Sequence, residues 1–131
     1  MIEFRSGFQK GKEIDLIPDL IKTLKERNAP FDIIPSKKAD EVSKKNAKAL
    51  VLTSFIKTAE GNYSIQVKDK EFYRYTQKLL SDIFRLTITD IDKNARTVTA
   101  EGKYLGIMND IIEVIALNPN YNLSIVYNGK I

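Results

Sequence analysis

The apolar positions of this chain recur with two distinct periods. Ile17, Leu20, Ile21 and Leu24 follow the i, i+3, i+4, i+7 spacing of one helical face, which predicts a helix over about 14–28. Pro18 suits its first turn, where a missing N–H has no helical partner, Asp15 is placed to cap it, and Asn28-Ala29-Pro30 closes it. Tyr63, Ile65 and Val67 alternate with Ser64, Gln66 and Lys68, the period of a half-buried strand over 63–68. Residues 50–56 are almost continuously apolar, as in a strand covered on both faces. Further strands are predicted over 2–8, 31–34, 86–91, 97–100 and 123–127. A Lys-rich helix capped by Ser36 or Asp40 carries Val42 and Ala49 on one side. Another spans 69–84 with Phe72, Leu79, Leu80 and Ile83 inward. A last one carries Leu105, Met108, Ile112, Ile115 and Ala116.

The turns Ala59-Glu60-Gly61-Asn62 and Asp92-Lys93-Asn94-Ala95 make two hairpins, 50–56 with 63–68 and 86–91 with 97–100. The order is β-α-β-α-β-β-α-β-β-α-β. That alternation predicts a single α/β domain over 1–131, a mixed sheet of six to seven strands flanked by about four helices, on both of its faces. The length of 131 residues suits one core, and 43% hydrophobic with 29% charged residues is the balance of a globular chain. The first seven elements also follow a thioredoxin-like order, without the cysteines of its redox chemistry.

Cys, His and Trp are all absent. Disulfides, thiol or imidazole catalysis, haem and ordinary zinc sites are thereby excluded. Carboxylates, Lys, Arg, hydroxyls and a hard cation such as Mg²⁺ remain. The net charge is +4, and the excess gathers at Lys37, Lys38, Lys44, Lys45 and Lys48 against Asp40 and Glu41, a face suited to DNA or RNA phosphates or simply to water. Residues 1–11 mix Glu3, Arg5 and Lys10 with isolated apolar positions, unlike a secretory leader, and no apolar run approaches the ~20 residues of a membrane span. A cytoplasmic protein with no membrane association is the expectation.

One constellation carries chemistry. Glu13 opens the first helix, Asp32 lies in the strand Phe31-Asp32-Ile33-Ile34, and Gln66-Val67-Lys68 runs into the helix that follows. This pattern resembles the PD-(D/E)xK nuclease-like superfamily, which includes Holliday-junction resolvases and Mrr-type restriction enzymes. The resemblance implies Mg²⁺ bound by Asp32 and Gln66, a metal-activated water, and Lys68 facing a phosphate, with Glu13 as a further acidic group. Residues 66 and 68 share one face of a strand, as that role needs. A second register is open, with Asp40 as the motif Asp and 50–56 as the motif strand. Thr53-Ser54-Phe55 then fills the E-x-K position and the site is inactive. The Asp90/Asp92 pair is next in line as a carboxylate site.

Three weaker signals complete the reading. Gly7-Phe8-Gln9-Lys10-Gly11-Lys12-Glu13 is one residue short of a phosphate loop and ends in Glu where a hydroxyl is needed. Tyr73, Arg74, Tyr75 and Lys78 set aromatics among cations, although the two tyrosines point about 200° apart on a helix. A non-catalytic protein-interaction or assembly module, as a homo-oligomer, is the alternative to a nucleic-acid-associated domain.

Overall fold

A computed structural model of the chain describes residues 12–45, 48–69 and 73–128. The strand expected over 2–8 and the loop from Gly7 to Gly11 lie outside them, as does Phe72. The first described strand is β1, Ile14–Asp15, where a helix was expected to begin. It pairs antiparallel with the far end of β3, Ile14 beside Lys57 and Asp15 beside Ile56. Helix α1 therefore starts later, at Ile17–Glu26, and the Asp15 carboxylate accepts the Ile17 N–H at 3.0 Å. It stops where expected. Asn28 takes the left-handed conformation, φ 55°, and the Ala29 N–H reaches back to the Leu24 carbonyl at 2.9 Å.

Strand β2 is Asp32–Ile34. A 3₁₀ turn, Ser36–Lys38, leads into α2, Ala39–Lys45. The hairpin β3 (Ala49–Lys57) and β4 (Tyr63–Asp69) forms as the sequence predicts, turning at Gly61 with φ 89°. Helix α3, Tyr73–Lys78, continues through Leu79–Ile83 with π-type bonding, the Phe84 N–H joining the Leu79 carbonyl at 3.1 Å. The second hairpin is β5 (Thr87–Asp92) with β6 (Thr97–Gly102). Helix α4, Ile107–Asp110, also widens, over Ile111–Ala116, before β7, Asn122–Val126.

Among the described residues these strands form one mixed sheet in the order β2-β7-β3-β4-β6-β5, with β1 sharing an edge of β3 with β7. β7 pairs parallel with both β2 and β3, so the stretch through Phe84 does not make a thioredoxin-like sheet by itself. Leu50, Leu52, Phe55, Ile65, Val67, Val98 and Ile125 face α1, α3 and α4 in one continuous core. Among the described residues the opposite face carries only the short α2, which packs on β3 and β4. Ala39 and Ser43 point inward from it, and Val51 and Ser124 are buried on that side. Helices thus lie on both faces, unequally. No helix among the described residues is long and apolar enough to cross a membrane.

Three expected core positions are displaced. Ile83 is 45% exposed while Phe84 is fully buried. Each π-type turn adds residues per revolution, so the inward stripe slips by one. Leu105 is 82% exposed because α4 begins only after Gly106, leaving it in the preceding turn. On α2 the buried positions are Ala39 and Ser43 rather than Val42, and Ala49 already belongs to β3.

Candidate functional site

The candidate residues are spread along one row of the sheet. Register places Asp32 beside Ser124, Ser124 beside Val51, Val51 beside Lys68, Lys68 beside Thr97, and Thr97 beside Asp92. All six share the α2 face, since they alternate with the core-facing set. Asp32 and Lys68 are nevertheless three strand spacings apart, about 14 Å. Asp32 instead lines a cavity of about 320 Å³ with Phe31, Val42, Tyr121 and Ser124. Glu13 is exposed beside β1, whose Ile14 pairs six residues along β3 from Val51, which sets it about 20 Å along the sheet from the Lys68 row. The structure does not bring Glu13 and Asp32 to Gln66 and Lys68.

Gln66 is committed to its neighbours. Its Oε1 accepts from the Thr53 hydroxyl at 2.8 Å, and its Nε2 donates to Thr99 Oγ1 at 3.1 Å. This ties β3, β4 and β6 together on the open face, and the side-chain oxygen has its donor within the sheet. Asp90 is the cross-strand neighbour of Thr99, and Asp92 Oδ1 caps the hairpin turn by accepting the Ala95 N–H at 3.0 Å.

What Lys68 meets is Asp40. Its Nζ lies 3.2 Å from Asp40 Oδ1, with the lysine side chain only 14% exposed. Arg96 Nη2 reaches the same oxygen and also donates to Ser43 Oγ at 3.0 Å. Lys44 Nζ takes Asp40 Oδ2 at 2.9 Å, one helical turn along α2. The Ser43 hydroxyl in turn donates to the Asp40 carbonyl at 2.9 Å. Lys44, then Arg96, then Lys68 hold the Asp40 carboxyl far below the usual carboxylate range. Outside this knot, Lys45 pairs with Glu41 at 2.9 Å and lowers its carboxyl too, and Lys37, Lys38 and Lys48 are exposed.

The set does not fit Mg²⁺. A hard cation needs several oxygens converging on one point, and among the described residues no group of three or more Asp or Glu does so. Asp32 joins no carboxylate cluster among the described residues, and Asp40, the carboxylate that Lys68 meets, is ringed by three cations that would repel a divalent ion. Tyr73, Arg74 and Tyr75 are placed by their backbone at the start of α3, and their side chains lie outside the description.

The sequence singled out Asp40, Lys44 and Lys68 separately. It did not single out Arg96 or Ser43. Ser43 was detectable as the partner of Ala39 at i, i+4 on the inward side of α2. Arg96 carries no such signal, because it sits one residue before β6 in a turn whose direction sequence spacing does not fix.

The knot has a pH signature. A carboxyl held below its ordinary value stabilises the fold fully above about pH 4, its unfolded value, and that contribution drains away as the pH falls through the lowered native value. Urea midpoints of the wild type should therefore fall between about pH 4 and pH 2 more steeply than those of Asp40→Asn. Parallel curves for the two proteins would mean that the three cations do not act on Asp40 in solution.

Compared with protein-family models, curated proteins and solved structures, the chain matches none.

Proposed function

We propose that this domain binds nucleic acid without cleaving it, through phosphate contacts from the basic face around α2. The observation that carries the reading is the meeting of two sets of cations. Lys37, Lys38, Lys44, Lys45 and Lys48 come from α2 and its flanks, and Lys68 and Arg96 reach the same helix across the sheet. Against these seven stand Asp40 and Glu41, a local excess of five positive charges. The exposed lysines offer point charges that suit a phosphate backbone and carry no base preference. The resemblance to PD-(D/E)xK nucleases enters only as the binding half of that family's work, because the residues it assigns to a metal stand apart.

The test is a fluorescence-anisotropy titration of the full chain with single- and double-stranded DNA and RNA across a salt series. Binding should be insensitive to sequence and fall steeply with salt. A log–log slope of about −4.5 on duplex DNA is expected if all five lysines meet phosphates. Mg²⁺ should produce no cleavage products. Absence of binding at low salt overturns the reading and favours the non-catalytic assembly module, whose oligomeric state sedimentation would then report. Mg²⁺-dependent cleavage overturns its non-catalytic half.

A further inference from the structure

Arg96 occupies a costly position. It closes the β5–β6 turn with φ 57°, in the left-handed region where a side chain other than Gly, Asn or Asp is strained by roughly 1–2 kcal/mol. A hairpin needs no arginine there. What the position provides is aim, since the guanidinium leans over the sheet to Ser43 and Asp40 with its side chain 20% exposed. Lys68 arrives beside it from β4, 14% exposed. Two largely desolvated cations thus converge from different strands, with Lys44 opposite them on α2.

The anion they surround is undersized for them. Asp40 supplies one charge and two oxygens. Oδ1 is shared by Lys68 and Arg96, Oδ2 is taken by Lys44, and Arg96 Nε is buried with no partner among the described residues. The second carboxylate of this row, Asp92, is engaged in its own turn, and Glu41 is paired with Lys45. Three cations around a single carboxylate leave two charges unmatched. A phosphate monoester carries close to two negative charges near neutral pH and presents three terminal oxygens, one for each cation. A backbone phosphodiester, with one charge and two free oxygens, is no better a match than the carboxylate already there.

We propose that Arg96, Lys68, Lys44 and Ser43 form a seat for one phosphate monoester, in which the Asp40 carboxylate is the resident stand-in that the ligand displaces. The Asp40 side chain is 48% exposed and Lys44 61%, so both can turn toward water without disturbing the core. The seat rests on the nucleic-acid reading only for its source of phosphate, which is then the phosphorylated end of a strand. Free phosphate shares the same chemistry.

Two arms separate the seat from its source. In the first, wild type and Asp40→Asn are unfolded thermally in chloride and in inorganic phosphate at matched ionic strength. Asp40→Asn should lose several degrees of Tm in chloride, from three uncompensated cations. Phosphate should restore most of that loss, and should raise the wild-type Tm less. A Tm deficit of Asp40→Asn that is the same in phosphate as in chloride means ordinary screening and overturns the seat. Should Asp40→Asn not fold, the wild-type rise with phosphate decides, and it must vanish in Arg96→Gln. In the second arm, otherwise identical oligonucleotides bearing a 5′-phosphate or a 5′-hydroxyl are titrated. The phosphorylated one should bind about tenfold tighter, the worth of a charge-assisted contact, and Arg96→Gln should bring the two oligonucleotides to the same affinity. Phosphate-specific recovery without an end preference keeps the seat and assigns it to free phosphate. The first arm contains no nucleic acid, so failure of the nucleic-acid reading leaves its outcome legible.

Discussion

Leu52→Ala should cost about 2–5 kcal/mol of stability, and Val51→Ala about 1–3 kcal/mol, with the urea m-value unchanged in both. The two residues are neighbours on β3 and face opposite ways. Leu52 is 1% exposed in the main core beneath α1, α3 and α4. Truncating it opens a cavity among large side chains that are held on three helices and cannot all collapse inward. Val51 is fully buried, but its cover is α2, a helix of seven residues. A short cover moves more readily into the space left by two methyl groups, so the smaller cost is expected from both size and surroundings. A neutral Val51→Ala would mean that α2 does not seal this face in solution. A neutral Leu52→Ala would remove β3 from the centre of the sheet.

The second large effect is on binding. Lys44→Glu combined with Lys45→Glu should weaken nucleic-acid affinity on the order of 100-fold at low salt, about tenfold per lost contact. The salt slope on duplex DNA should fall by about 2, and the loss should be the same for every sequence. The side chains are 61% and 73% exposed. Each also gives up only a solvent-exposed i, i+4 pair, with Asp40 and with Glu41, so the fold survives and the change reports on charge. A double variant that binds as tightly as the wild type would move the contact surface away from α2.

Much of the architecture was legible because periodicity reports burial directly. The nearly continuous apolar run at 50–56 predicted a strand covered on both faces, and in β3 Leu50, Leu52 and Phe55 are buried on the core face and Val51 on the α2 face. Both hairpins were legible from turns between alternating segments. What periodicity cannot show is a change of period. Ile83 fits a 3.6-residue helix, but the chain widens to π-type turns at Leu79, and Phe84 takes the core position. Nor can it show strand order. Asp32 and Lys68 were grouped because each is a polar residue on a strand of the right kind. They do share a face and a row, but β7, drawn from the other end of the sequence, stands between them together with β3. Asp40 met Lys68 instead because α2 crosses that face. Arg96 stayed hidden because its role comes from a backbone conformation at one turn, which spacing does not encode.

The place of β7 also bears on how the molecule assembles. It is the last of the described strands in chain order, yet it lies between β2 and β3 and is the only described neighbour of β2 in the sheet. As the chain leaves the ribosome, β3 can pair early with β4, which follows it at once, but the N-terminal half of its other edge has no described partner until Asn122–Val126 emerges. Leu50 and Leu123 become neighbours only after β4, α3, β5, β6 and α4 have all been made. Such non-local closure is slow, and an open apolar strand edge is the kind of surface that nascent chains expose to one another and to chaperones. Closure of the described sheet therefore waits on β7, and damage there would part β2 from β3 and strip the first half of β3 of its parallel neighbour.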